Sequence, residues 1–240
     1  MTPSIPYPGG KGRWAEEIVK CLPEGRQYIE PFAGRGNIFW ALGSLFPGRY
    51  KKHHLNDIKR ADFLHALGTH GNCVDVPTDL NAAYYHFWKQ QPTPESLLLE
   101  PIISRDGSGY STGGPAGNHH ASIPKYQQSL RECYAISQRL KPRITNQDWK
   151  KLRLEQLGHD TVVVLDPPYY GADVRAYTSN GFDYKALVKL LVLAKFRWIL
   201  MEYEQPFYNR EFGKPFFRRT VGHGSSNKAG HKTECMWKNF

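Results

Sequence analysis

An acid, two prolines and an aromatic stand together at Asp166-Pro167-Pro168-Tyr169, directly after the apolar run Thr161-Val162-Val163-Val164-Leu165. Such a β-branched run reads as a buried parallel strand, and the prolines end it. Open α/β sheets keep their chemistry at the carboxyl ends of their strands, so Asp166 and Tyr169 fall where a ligand would lie. The prolines fix the main chain so that a carbonyl and the Asp166 carboxylate can face one point, with the flat face of Tyr169 close by. A planar group bearing an NH2, such as adenine, fits that arrangement. A strand-ending turn with a capping Asp is the plainer alternative.

A second set of residues lies upstream. Arg26-Gln27-Tyr28-Ile29-Glu30 reads as a short strand, and Pro31-Phe32-Ala33-Gly34-Arg35-Gly36-Asn37-Ile38-Phe39-Trp40 enters a helix. Gly34 and Gly36 let the backbone approach a ligand, but Phe39 stands where the dinucleotide fingerprint G-x-G-x-x-G has its third glycine. A further strand, Tyr50 to Leu55, leads to Asn56-Asp57. That acid follows the glycines by about twenty residues, the spacing at which a carboxylate meets a ribose. Together these residues predict a nucleoside-bearing cofactor without a tightly held diphosphate.

Composition bounds the answer. At 240 residues, 40% hydrophobic and 13% aromatic, the chain can bury one full core and carry a small appended lobe. No stretch of 18 apolar residues exists, and Met1-Thr2-Pro3-Ser4-Ile5-Pro6 lacks an apolar signal region, so a soluble, unexported, cytoplasmic protein is expected. Cys21, Cys73, Cys133 and Cys235 are scattered without C-x-x-C, which favours a reducing compartment over disulfides or a thiolate site. The pairs His53-His54 and His119-His120 have no acid or cysteine at ligand spacing and read as solvated or phosphate-touching. His223, His231 and Cys235 are too loosely spaced for a zinc finger, so no metal is expected. A net charge of +10 points to a polyanionic partner. From Gln205 onward seven Lys or Arg face two acids, and from Ala82 to Gln147 seven face four, interleaved with Tyr84, Tyr85, Trp88, Tyr110, Tyr126 and Tyr134. Basic surface with aromatics suits strand binding and base insertion.

The ordered series Tyr7-Pro8-Gly9-Gly10-Lys11, Glu30-Pro31-Phe32-Ala33-Gly34-Arg35-Gly36, Asn56-Asp57, Asp148-Trp149 and Asp166-Pro167-Pro168-Tyr169 resembles the DNA adenine-N6 methyltransferases of the Dam type, the alpha-group amino-methyltransferases. The resemblance spans nearly the whole chain and ends at Thr233-Glu234-Cys235-Met236-Trp237-Lys238-Asn239-Phe240, which looks like the closing strand of the family sheet. It implies an α/β fold: a Rossmann-like S-adenosylmethionine-dependent methyltransferase core, mostly parallel with a C-terminal antiparallel hairpin, plus a small inserted helical target-recognition region. The core would take residues 1–78 and 141–240, and the insertion residues 79–140. S-adenosyl-L-methionine would be the cofactor, near Tyr7, Lys11, Phe32, Ala33, Gly34, Gly36 and Asp166, with Asp57 on the ribose and Asp148 and Trp149 framing the adenine. Double-stranded DNA would be the partner of a prokaryotic or phage-encoded enzyme of the restriction-modification kind, acting as a monomer or weak dimer.

Within the insertion, the segment Ser104 to His120 has five glycines in seventeen residues, a length usually functional or disordered. Arg105, Gly109 and Tyr110 are similar to the family's GATC-reading segment, but its Asn and Phe-Asn-x-Pro portion is missing, which argues against GATC. Arg105 and Tyr110 are the expected DNA contacts, with Arg218 and Arg219 in the basic C-terminal hairpin. Methylation of adenine N6 by base flipping and in-line transfer is the expected reaction, with Asp166, Pro167, Pro168 and Tyr169 as its residues. Related sites carry Ser-Pro-Pro-Tyr for cytosine N4 and Asn-Pro-Pro-Tyr for glutamine or RNA, so Asp166 favours DNA adenine. A catalytically decayed DNA-binding protein is the other alternative.

Overall fold

The computed structural model describes residues 2–6, 10–76, 90, 93–103, 123–171, 181–223 and 230–240. Seven strands make one sheet: β1 (Gln27–Glu30), β2 (Lys52–Asn56), β3 (Arg143–Thr145), β4 (Thr161–Leu165), β5 (Arg197–Tyr203), β6 (Phe217–His223) and β7 (Gly230–Lys238), in the order β3-β2-β1-β4-β5-β7-β6. The first five are mutually parallel, while β7 runs antiparallel to β5 and β6. This is a Rossmann-like, mostly parallel sheet closed by an antiparallel hairpin. The chain moves outward from β1 through β2 to β3, then returns to β4 on the other side of β1. Loops leaving β1 and β4 therefore diverge, and open sheets bind ligands in the crevice at such a switch point.

The five residues of β4 are all buried because helices cover both faces of the parallel region. Successive side chains alternate faces: Val162 and Val164 join one core cluster, Val163 and Leu165 the other. The first cluster is covered by α1 (Ala15–Lys20), α2 (Asn37–Leu45), α3 (Ala61–His70), α4 (Pro94–Ile103) and α5 (Ile123–Leu140). The second lies under α6 (Tyr184–Val192) and α7 (Pro206–Phe212). Asp183 caps α6 by accepting from the Ala186 amide at 2.9 Å, and Pro206 starts α7 where a missing N–H costs nothing.

Where the inserted helical region is expected, over residues 79–140, α4 and α5 flank residues 104–122. Both are core helices, with Leu98, Leu99, Ile102, Leu130, Cys133 and Ile136 in the same cluster as the sheet. The aromatic stretch Leu80 to Gln91, apart from Gln90, lies outside the described residues, as do the glycine-rich segment, Tyr84, Tyr85, Trp88 and His119-His120. The expected solvated role of His53 and His54 is overturned, because both are residues of β2. His53 is buried against Tyr28 and Phe39. His54 meets the Thr145 hydroxyl at 2.7 Å, and burial pushes its pKa down to about 4.

Candidate active site

Asp166 leaves β4 half-buried, and the Lys11 ammonium lies 2.9 Å from its Oδ1. Lys11 reaches this point through two clamps on the N-terminal segment. Asn37, the first residue of α2, accepts from the Ile5 amide at 2.8 Å and donates to the Ile5 carbonyl at 2.9 Å. The Arg35 guanidinium donates to the Pro6 carbonyl at 2.5 Å. A single 3-10 turn, Lys11–Arg13, then aims the buried lysine into the crevice.

Glu234, on β7, completes the cluster. Its Oε1 accepts from the Tyr169 hydroxyl at 2.6 Å and lies 3.3 Å from the Lys11 ammonium. The ammonium also sits 4.8 Å from the centre of the Tyr169 ring, whose edge contact with Tyr203 is 4.7 Å between centroids. Burial pulls the Lys11 pKa down, but the carboxylates of Asp166 and Glu234 outweigh it and hold the group above its ordinary value, as an ammonium. Burial pushes the Asp166 pKa up, and Lys11 opposes that shift. Burial and the neighbouring carboxylates push the Tyr169 phenol far up, so it remains a hydrogen-bond donor.

Two further acids stand at neighbouring strand ends, and the first supports the loop. Glu202 on β5 is fully buried, and both its oxygens accept from the Tyr170 amide, at 2.9 and 3.0 Å. It also takes the Tyr203 amide at 2.7 Å and the Tyr208 hydroxyl at 3.2 Å. Glu30 closes β1 and accepts the Tyr28 hydroxyl at 2.6 Å. Burial raises both carboxyls to about 8, with Asp166 adding to each shift and Asp57 to that of Glu30. The carboxyl ends of β1, β2, β4 and β5, together with the middle of the antiparallel β7, thus direct acids to one region, where Lys11 is in contact with Asp166 and Glu234.

The glycine turn is held from beneath. Gly34 and Gly36 have φ of 54° and 75°, and a Cβ at Gly36 would stand 2.8 Å from the Trp40 indole nitrogen. That nitrogen instead donates to the Arg35 carbonyl at 2.7 Å. The Asp57 carboxylate accepts from the Gly34 amide at 2.8 Å and from the Lys59 and Arg60 amides at 2.9 Å each. It therefore builds the turn and the entry to α3, and an ionised carboxylate has further lone pairs to offer. Asn56, buried beside it, donates to the carbonyls of Pro31 and Gln147 and accepts from the Thr145 hydroxyl and the Gln147 amide, tying together the exits of β1, β2 and β3. Arg35 points inward: with Arg60 it pairs Glu100 of α4, at 2.8 and 2.6 Å.

Beside this turn stands an aromatic box. Phe32, Trp149 and Phe182 lie 5.6 to 6.3 Å from one another by ring centroids. Asp148 caps the turn carrying Trp149 by accepting from the Lys150 amide at 2.8 Å and is exposed, while the Lys150 ammonium meets Asp183 at 2.7 Å. These rings offer apolar faces on which the base of a nucleoside can pack, and the carboxylates of Asp57, Asp166 and Glu234 suit a cationic group.

The structure thus joins Lys11 with Asp166 and Tyr169, Asp57 with the glycine turn, and Trp149 with Phe32, all beside the carboxyl ends of the parallel strands. Tyr7, Arg105 and Tyr110 lie outside the described residues. Arg218 and Arg219 lie on β6: Arg218 pairs Glu204 at 2.5 Å, and Arg219 stacks on Trp14 at 4.3 Å. Glu202 and Phe182 go unnoticed by sequence reasoning, and Asn56 and Glu234 stand within quoted motifs without a site role of their own. The acid within Thr233-Glu234-Cys235 does interrupt an otherwise burial-compatible strand, the one signal that marks Glu234. Among the described residues, no group of three or more His, Cys, Asp or Glu could hold a metal, and no helix is long and apolar enough to cross a membrane.

Residues 7–91 match the family model of the D12 class N6 adenine-specific DNA methyltransferases. No curated protein matches the chain. Among solved structures it is similar to TrmN from Thermus thermophilus, with 12% identity, 95% of this chain and 48% of that one covered, and a TM-score of 0.42. It is also similar to the rRNA methyltransferase AviRa from Streptomyces viridochromogenes, with 16% identity, 97% and 86% covered, and a TM-score of 0.44. The chain spans about half the length of TrmN.

Proposed function

We propose that this chain transfers a methyl group from S-adenosylmethionine to the N6 amino group of adenine in DNA. One observation carries the proposal: Asp166 follows a parallel strand at the switch point with Tyr169 beside it, within a fold whose N-terminal part matches the D12 class. Phe32, Trp149 and Phe182 would hold the cofactor's adenine, Asp57 its ribose, and the turn Ala33 to Gly36, with Lys11 and Tyr7, its methionine end. Bound there, the cofactor supplies an electrophilic methyl on a sulfonium, whose positive charge suits the acids around it.

The chain's own residues do the rest. Adenine N6 is a weak nucleophile because its lone pair is conjugated into the ring, and the duplex buries it in the stack. Extruding the base costs a few kcal/mol, and stacking on Tyr169 returns about 1–3 kcal/mol. Tyr169 is braced for this by Glu234 through its hydroxyl and by Tyr203 at its edge. Asp166 and the Pro167 carbonyl accept the two N6 hydrogens, drawing the nitrogen toward a tetrahedral shape and stabilising the charge that develops on it. Positioning then matters more than acid or base strength. Arg105 and Tyr110 would read the duplex, and Arg218 and Arg219 would meet its phosphates.

Labelled methyl transfer to duplex DNA, paired with calorimetry of S-adenosylmethionine, tests the proposal. Saturable cofactor binding and label in adenine are expected. Absence of cofactor binding would defeat it.

A further inference from the structure

We propose that Glu234 is the residue that frees Asp166 for the substrate, by retaining the Lys11 ammonium when the target amine claims the Asp166 carboxylate. The inference rests on the reaction proposed above and concerns residues of that same site.

Two donors compete for one acid. The Lys11 ammonium lies 2.9 Å from Asp166 Oδ1, and Asp166 must also accept an N–H of the amino group to be methylated. Lys11 is buried, so an ammonium displaced from Asp166 could not simply turn to water. Glu234 supplies the second position. Its Oε1 is already 3.3 Å from the ammonium, which lies 4.8 Å from the centre of the Tyr169 ring. Lys11 can therefore shift its weight from one carboxylate to the other without losing its counter-charge. Glu234 is fixed in place for this task, paired on β7 with Tyr203 of β5 and Arg219 of β6, and not carried on a loop. The oxygen that receives Lys11 also receives the Tyr169 hydroxyl, so one side chain sets both the stacking ring and the cation. Glu234 acts through Lys11 and Tyr169 and is a positioning residue.

Glu234→Gln keeps an oxygen for the Tyr169 hydroxyl but removes the charge that retains Lys11. It should raise the KM for duplex DNA by about tenfold or more with kcat changed less than about threefold, and leave the S-adenosylmethionine dissociation constant within about twofold. In a Lys11→Met background, the same substitution should change KM by less than about twofold, because the lysine then no longer competes for Asp166. Equal effects in both backgrounds, or none in the wild type, would overturn the inference. If the glutamine variant fails to fold, Glu234→Asp, with its charge drawn back by one methylene, should still raise KM, and a wild-type KM would count against the assignment. A thermal cycle needs no substrate: Glu234→Gln should lower the melting temperature of the wild type but leave unchanged or raise that of Lys11→Met, where it removes a buried carboxylate lacking its cation. Equal losses would show that the two residues are not one unit. A wild type that transfers no methyl to DNA would count against the proposed reaction, and the thermal cycle would still decide the role of Glu234.

Discussion

Asp166 and Asp57 are both acids at strand ends, yet their surroundings predict different responses to substitution. Asp166 faces a lysine and a tyrosine in the crevice. Its change to Ala should leave cofactor binding largely intact and reduce methyl transfer by at least about a hundredfold, the loss that follows removal of a positioned electrostatic partner. Single-turnover rates above about a tenth of wild type would show that the role is wrong. Asp57 accepts from three amides, so Asp57→Ala should act twice. It should weaken S-adenosylmethionine binding by about one to two orders of magnitude and, with the entry to α3 uncapped, cost about 1 kcal/mol of stability. Titration calorimetry and denaturant unfolding separate the effects, and an unchanged affinity would remove Asp57 from the cofactor site. Both residues are legible in sequence because prolines and glycines punctuate the chain around them. Glu202 and Glu234 are not: strand periodicity says which face a residue occupies, not that an acid on β7 will meet a lysine near the N-terminus.

Among the elements, the glycine turn tolerates little substitution. At Gly36 a side chain would meet Trp40 and the φ of 75° would be strained. Gly36→Ala should therefore destabilise by about 1 kcal/mol or more, seen as a lowered melting temperature. A gain in stability would contradict the turn geometry. The strands were readable because β-branched runs in a doubly covered sheet lack polar alternation, and β4 has the bounds the sequence predicts, Thr161–Leu165. The edges of β2 slip by one or two residues, since Tyr50 turns to donate to the Pro23 carbonyl at 2.5 Å before Lys52 begins the ladder. The histidines of β2 misled because a polar residue type says little about burial once aromatic neighbours such as Tyr28 and Phe39 supply the contacts.

At the scale of the molecule, burial of carboxyls at the strand ends predicts a pH dependence. Glu30 and Glu202 titrate near 8 in the fold, against an ordinary 4.5. Between those values the folded chain holds protons that the unfolded chain has lost, so this contribution to stability is full below about 4.5 and is lost as pH rises toward 8. The melting temperature should fall across that window, and Glu202→Gln should flatten the fall. A rise in stability from pH 5 to 8 that persists in this variant would contradict the burial argument. A mostly parallel sheet closed by an antiparallel hairpin is what the family resemblance implies, whereas the order β3-β2-β1-β4-β5-β7-β6 is set by long-range pairing that the sequence does not display. What a planar amine at Asp166 belongs to is a property of the whole molecule and its partner. The most direct measurement is nucleoside mass spectrometry of DNA from a methylation-free host expressing this chain. N6-methyladenine, absent when Asp166 is replaced by Ala, is the predicted result. N4-methylcytosine alone, or unmodified DNA from a host whose protein is folded and binds S-adenosylmethionine, would contradict it.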